Sequence, residues 1–490
     1  MADDQTNRWV GDALVTIEGG QPAHVALERS LRAAVREGRL RPGDPVPPSR
    51  ALARDLGVSR WVVTQAYGGL VAEGVLDART GAGTRVASTS WPTLTSTRAP
   101  DRAVRPRPAF DLGPGVPDLR HLPRAAWVSA VRTAVASATP GDLVAPDPRG
   151  VPSLRQALAD RLAVTRAVLV DADAVVVTHG ASDGTMRLAR SLRAAGHDSV
   201  LVEDPSWPRL RDVAAAAGLH PVPVPVDEDG VDTDALVQAA ERTGARASLV
   251  TPSHQFPVGA ALVPARREAL VRWARSVDGV IIEDDYDAEF RYDRRPVAAL
   301  RALAPDRVAL VGSWSKTLAP GLGIGWLVPP DDVPAARAGL DVDASAPPSL
   351  HQLSCAALLT DGGYDRHLRS ARARYRRRRA ALLAALERWL PSLPVTGLAA
   401  GLHVVLGLPP GADEDRVARL AARRDVRVVP AGRYRVGTTA RPPALVVGYG
   451  NLVDARLDEA VARLAAAVSE AAPSAARELA GSRALDTHES

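Results

Sequence analysis

The chain has 490 residues, 46% hydrophobic and 24% charged, with a formal net charge of +5. That balance describes a globular chain, and the length suits about three domains or one small domain beside a two-lobed one. Its one cysteine, Cys355, excludes an internal disulfide framework, and no uninterrupted apolar run is long enough to span a membrane.

The charge is unevenly spread. Residues 21–108 carry 14 arginines against seven Asp and Glu, which suits either an anionic partner or a solvated basic face. The opening residues, MADDQTNRWVGDALV, have no basic region followed by an apolar run, so no signal peptide is expected and the chain reads as cytoplasmic.

Residues 24–37 (HVALERSLRAAVRE) place apolar side chains at helical spacing. The passage GRLRPGDPVPPSR (38–50) is rich in turn formers, and Ser49 is positioned to cap the helix after it. SRALARDLGVSRWVVTQAYGGLVAEG (49–74) reads as two short helices around a turn at Gly57, and VLDARTGAGTRVA (75–87) as two short strands around a glycine-containing tip. Three helices and a hairpin predict a winged helix-turn-helix over 21–87, with the recognition helix starting near Ser59.

Residues 88–108, rich in Ser, Thr, Pro and Arg, read as a flexible linker. From 109 to 468, helical patterns alternate with the short runs AVVVTHG, SVLVEDP, ASLVTPS, GVIIEDD and RVALVGS. Buried strands separated by helices predict an α/β domain with a mostly parallel central sheet. A long helix over 364–390 contains RARYRRRRA; its arginines are expected to face solvent, with nucleic-acid contact as the alternative. The Ala/Ser/Glu-rich residues 469–490 are expected to be a disordered tail.

In such sheets ligands bind beyond the carboxyl ends of the strands, where this chain places unusual residues. Gly180, Ala181 and Ser182 follow one strand and open a helix, offering backbone N–H groups to a phosphate or forming a plain helix cap. Trp207 follows another, as a cover for a flat ring or as a partly buried core residue. EDDYDAEF (283–290) admits two readings. Its carboxylates bind a divalent metal, or Asp284 pairs with a protonated ring nitrogen while Tyr286, on the same side, bonds a ring hydroxyl.

The run GSWSK then brings Ser313 and Ser315 beside Lys316, the only lysine in a chain with 60 arginines. Arginine replaces lysine as a charge or a salt-bridge partner, but not as a nucleophilic amine. A Schiff-base lysine is therefore the one such a composition retains. One cofactor uses all of these groups at once. Pyridoxal 5′-phosphate has an aldehyde for the amine, a ring nitrogen for a carboxylate, a phenolic oxygen, a phosphate and a stacking face.

With these residues in place, the body resembles the fold-type-I aminotransferases. The whole chain resembles the MocR/GabR group of regulators, in which a GntR-type winged helix precedes such a body. The stretches that carry this, in order, are LRPGDPVPPSRALARDLGVSRWVVTQAYGGLVAEGVLDARTGAGTRV, DPRGVPSLRQALA, EDPSWP, TPSHQFPVG, EDDYDAEFRYDRRP, GSWSKTLAPGLGIGWLV and LVVGYGN. The resemblance implies a Schiff base at Lys316, Asp284 at the pyridine nitrogen, Tyr286 at the phenolic oxygen and Trp207 in the stacking position. It also implies a homodimer with each N-terminal domain lying across the partner body, and a double-stranded DNA operator. DNA contacts are then expected from Arg50, ahead of the first helix of the motif, from Ser59, Arg60 and Thr64 on the recognition helix, and from Gly81 and Gly83 in the TGAG wing.

Four positions depart from the family pattern. Gly323 stands where relatives carry a phosphate-binding arginine, Ala145 where many carry tyrosine, and Asp183 where glutamine is common. Val446 replaces the arginine that grips a substrate carboxylate, a change part of the family shares. Arg209, Arg433 and Arg435 are candidates for compensating charge. The expectation is a regulator that senses the vitamin or an amine or amino-acid effector through pyridoxal phosphate, without a metal and without steady-state turnover. Two alternatives stay open: an aminotransferase with an accessory DNA-binding domain, and a regulator whose cofactor site has decayed.

Overall fold

The computed structural model describes residues 22–79, 83–87, 108–144, 146–292, 297–338, 345–437 and 441–471. The chain divides into two compact units, Met1–Arg105 and Pro106–Ser490. Expectations for the linker (all but residue 108), Gly81, Ala145 and the tail beyond residue 471 lie outside the described residues.

In the first unit, α1 (Ala23–Arg36), α2 (Ser49–Asp55) and α3 (Arg60–Ala72) precede the antiparallel pair β1 (Leu76–Arg79) and β2 (Gly83–Val86). Leu27, Leu31 and Ala34 of α1 recur at helical spacing and meet Leu52, Val63, Leu70, Leu76 and Val86 in one core. The Tyr67 hydroxyl donates to the Pro47 carbonyl at 2.9 Å, fixing the proline-rich turn against α3. Two expectations need correction. Ser49 is the first residue of α2 and makes no cap bond, because Pro48 holds the cap position; its hydroxyl instead accepts from Arg60 Nε at 3.4 Å. Arg50 lies inside α2, not ahead of it.

The second unit is built on a sheet of β3 (Val176–Thr178), β4 (Ser199–Asp204), β5 (His220–Asp227), β6 (Gly230–Val231), β7 (Ala247–Val250), β8 (Val280–Asp285), β9 (Val308–Ser313) and β10 (Gly325–Val328). Their spatial order is β3-β10-β9-β8-β7-β4-β5-β6. Among these strands β10 and β6 point opposite to the other six. Successive residues of β4 serve opposite faces. Leu201 joins a core with the helices Thr233–Thr243 and Pro264–Ser276, while Val200 and Val202 join one with α5 (Ala181–Ala194) and α6 (Pro208–Ala216), α4 being Pro152–Arg166. Sheet faces covered by helices on both sides are what the continuous Val/Ile runs predict.

Strand β5 was not among the expected runs, because HPVPVPVD alternates three prolines with valines. The valines are buried and the prolines are not, and beyond β5 lies only two-residue β6. A near-edge strand tolerates the missing N–H groups.

A smaller sheet of β11 (Val395–Thr396), β12 (His403–Gly407), β13 (Val429–Pro430) and β14 (Ala444–Gly448) follows, in the order β11-β12-β14-β13. Ahead of it runs α7 (Gly363–Trp389), which holds the arginine-rich stretch. That stretch is only partly solvated. Arg374 and Arg378 are buried, and Arg378 reaches Asp118 at 2.6 Å and the Gly450 carbonyl at 2.7 Å. Arg376 and Arg377 face solvent.

Candidate functional site

The carboxyl ends of β4, β7, β8 and β9 converge on one cavity of about 80 Å³, walled by Trp207, Phe256, Asp284, Tyr286, Lys316 and His403. Strand register accounts for this. Asp284 of β8 lies beside Val311 of β9, so the chain leaves β9 for Lys316 just past the carboxylate. Trp207, at the cap position of α6, is 38% exposed and turns its ring toward the amine.

Lys316 Nζ donates to the Gly115 carbonyl at 2.7 Å. Burial lowers the amine from its ordinary pKa, against the opposing charges of Asp287 and Asp284. Asp284 is 4% exposed, and its Oδ1 has no hydrogen-bond partner. Burial, then the charge of Asp285, push its carboxyl up to about 8, while Lys316 pulls the other way. Asp285 points elsewhere and pairs with Arg166 at 2.7 Å.

Sequence reasoning missed the partners of Tyr286. Its hydroxyl lies 3.1 Å from His254 Nδ1, which also faces Asp287 Oδ2 at 2.8 Å. His254 lies in TPSHQFPVG, and nothing local links it to a tyrosine 32 residues on. Burial, with Asp287 and Asp284 behind it, raises the Tyr286 phenol well above its ordinary value. Burial and then the nearby His254 push His403 down to about 3, a neutral wall of the cavity.

The expected phosphate end is built separately. Thr178, Gly325 and Ser313 lie in register across β3, β10 and β9. Gly180, at φ 123°, caps α5 and packs so closely that a Cβ on Gly325 would stand 2.6 Å from its Cα. The first-turn N–H groups of α5, at Ala181 and Ser182, have no intrahelical acceptor. Asp183 is a paired anion: it accepts from the His179 N–H at 2.9 Å and from Arg187 at 2.9 and 3.1 Å.

Gly180, Ala181, Ser182, Ser313 and Ser315 do not line the Lys316 cavity. Ser313 borders a second, smaller cavity with Arg166, Asp285 and Tyr286. The two ends meet through α6, where Trp207 faces Lys316 and Arg209 Nε lies 3.4 Å from Ser182 Oγ. The segment before α6 is bound to the connection between β13 and β14. Asp204 accepts from the Val436 and Gly437 N–H groups at 2.8 and 2.9 Å, and the Ser206 N–H donates to Tyr434 O at 2.9 Å. Val446 is fully buried in β14 opposite Val405. Among the described residues, no three His, Cys, Asp or Glu side chains are grouped to hold a metal, and no helix is long and apolar enough to cross a membrane.

In the first unit, Arg50, Ser59, Arg60, Thr64 and Gly83 are all exposed. The Thr64 hydroxyl is turned back to Arg60 O at 2.9 Å. Trp61, which sequence reasoning passed over, is 60% exposed on the same helix, with its ring edge against His24. Its signal was there: positions 61, 64 and 65 form the face opposite buried Val63, Ala66 and Leu70.

A helix-turn-helix unit and an aminotransferase-type body whose strand ends gather a lysine, a buried carboxylate and an aromatic ring define a two-part class. Residues 107–464 match the aminotransferase class I and II family, and residues 11–86 match the bacterial regulatory proteins of the gntR family. The chain is 34% identical to the HTH-type pyridoxine biosynthesis transcriptional regulator PdxR of Corynebacterium glutamicum, over 94% of this chain and 99% of that one. It is 30% identical to the probable rhizopine catabolism regulatory protein MocR of Rhizobium meliloti, over 91% and 94%. An archaeal alanine:glyoxylate aminotransferase is similar in structure, with a TM-score of 0.67 and 27% identity over 74% of this chain and 91% of that one. The chain belongs to the MocR-type family of helix-turn-helix transcriptional regulators with an aminotransferase-like domain. That membership implies pyridoxal 5′-phosphate as the cofactor of the body.

Proposed function

We propose that the chain is a cytoplasmic, homodimeric regulator that binds an operator through its first unit and senses the vitamin, or an atypical amine, through pyridoxal phosphate held at Lys316. One observation carries this reading: the orphaned, buried Oδ1 of Asp284 in the cavity where Lys316 meets the Trp207 ring. An oxygen left without a donor is costly, and a protonated ring nitrogen satisfies it.

When bound, the cofactor supplies an aldehyde that reversibly captures amines. The chain does the rest. Lys316 offers the nucleophilic amine, its proton loosened by burial. Asp284 pairs with the ring nitrogen, Tyr286 backed by His254 holds the phenolic oxygen, and Trp207 shields one ring face from water. Gly180, Ala181, Ser182, Ser313 and Ser315 take the phosphate. Arg50, Ser59, Arg60, Thr64 and Gly83 face the DNA.

Val446 is buried and apolar, so this position offers no cation to a substrate carboxylate, which favours sensing over turnover. The relative named for pyridoxine biosynthesis favours the vitamin itself as effector. The intact set of Lys316, Asp284 and Tyr286 sustains a second reading, a working aminotransferase with an accessory DNA-binding domain. The deciding experiment is borohydride reduction of cofactor-saturated protein followed by peptide mapping. The expected label sits on Lys316; an unlabelled Lys316 peptide overturns the proposal and leaves a body without a working cofactor site.

A further inference from the structure

The phosphate end of the site has a charge deficit. A phosphate monoester carries about −1.5 to −2 charges at neutral pH. Against it stands the N-terminus of α5, equivalent to roughly half a positive charge. Arg187, in the same helix, is neutralised by Asp183 and directs its remaining N–H groups to the Pro148 and Ser345 carbonyls. At Gly323 the backbone is left-handed, at φ 58°, and the nearest atom to a Cβ there would be the His179 carbonyl oxygen, 4.0 Å away. No side chain stands where the resemblance leads one to look for a phosphate-binding arginine.

We propose that Arg209 is the phosphate-binding cation of this chain, brought in from the first turn of α6. The inference rests on the cofactor reading above. Arg209 Nε lies 3.4 Å from Ser182 Oγ, at the mouth of the cradle, and the guanidinium has no carboxylate partner among the described residues. Arg433 and Arg435 are engaged elsewhere, with Asp415 at 3.7 Å and Glu414 at 3.3 Å. Arg209 also follows Trp207 by two residues, so one turn of chain supplies both a ring wall and a cation. The buried orphan oxygen of Asp284 independently marks the ring end of the same ligand. A guanidinium is suited to this task because its planar fork gives a phosphate two parallel N–H donors.

The test compares pyridoxal 5′-phosphate with pyridoxal, which lacks the phosphate. Wild type, Arg209→Gln and Arg209→Lys are titrated with each, following the visible absorption of the covalent link. For Arg209→Gln the expected result is a loss of pyridoxal-phosphate affinity of about 10- to 100-fold. Pyridoxal affinity should change less than about twofold, because that ligand offers Arg209 no anion. Arg209→Lys should fall between, and ligand-free melting of all three should coincide. Unchanged pyridoxal-phosphate affinity in Arg209→Gln, or an equal loss for both ligands, overturns the assignment while the cofactor reading stands. If wild type binds neither ligand, both fall together.

Discussion

Lys316 Nζ lies 4.7 Å from the centroid of the Trp207 ring. The ring face attracts the ammonium, yet burial disfavours its charge, so the amine is held at the face and eased toward its neutral, reactive form. Lys316→Arg keeps the first property and loses the second. The variant should stay folded, with a melting temperature near wild type, and show no reducible adduct. Effector-dependent changes in DNA binding should vanish with it. An adduct retained in the variant would place the reacting amine elsewhere, and the chain has no other lysine.

Asp284 should give the ligand-free protein a distinctive pH dependence. Its folded pKa of about 8 exceeds that of an unfolded aspartate, about 3.9. Between those values the folded protein keeps a proton that the unfolded chain has shed, so stability falls as pH rises from about 4 to 8. Asp284→Asn removes that contribution. Its melting temperature should exceed that of wild type at pH 8, and the advantage should disappear near pH 4. Parallel melting curves across this range would contradict the assignment.

Asp118 behaves in the opposite sense. Its side chain is fully buried; burial alone would raise its pKa, but hydrogen bonds from Arg120 and Arg378 outweigh that and hold it well below the usual range. The stability it contributes is present above the unfolded pKa and lost as pH falls toward the folded one. Asp118→Ala removes one of the two carboxylates that face the buried Arg378, Asp454 being the other, and should cost about 1–3 kcal/mol by denaturant unfolding at pH 7. The difference from wild type should shrink in acid.

On the DNA face, Arg60→Ala should weaken operator binding by about 1–3 kcal/mol and relax sequence preference. Arg50→Ala should weaken binding evenly across sequences. Trp61→Ala removes a ring that is not part of the core, so the unit should melt as wild type while operator affinity drops. Wild-type affinity of an Arg50/Arg60 double variant in a mobility-shift titration at physiological salt would remove this face from consideration.

Steady-state transamination of common amino acids should be slow or absent, because orienting a substrate carboxylate is worth much of the barrier and Val446 cannot do it. Keto-acid formation at ordinary enzymatic rates in a coupled assay would promote the aminotransferase reading.

What could be read from the sequence follows from how local each signal was. Lys316 announces itself because no other residue type supplies its amine, whereas Asp284 and Trp207, each at the carboxyl end of a predicted strand, gained their reading only beside it. Asp183 was legible in principle too: Arg187 lies four residues on, the spacing of a helical ion pair. Arg378 was not, since its partner Asp118 is 260 residues away and only the packed fold brings them together. His254 at Tyr286 and the proline-bearing β5 were hidden for the same reason, a tertiary neighbour deciding what local pattern could not. The helix cap expected of Ser49 failed because two prolines ahead of it already set the chain's entry into α2.

The bonds from Val436 and Gly437 to Asp204, and from Ser206 to Tyr434, have a mechanical consequence. They hold the stretch just ahead of Trp207 and Arg209 against the connection that joins β13 to β14. Whatever fills the space beneath Trp207 therefore also bears on the connection between β13 and β14, because the same three hydrogen bonds tie the two segments together.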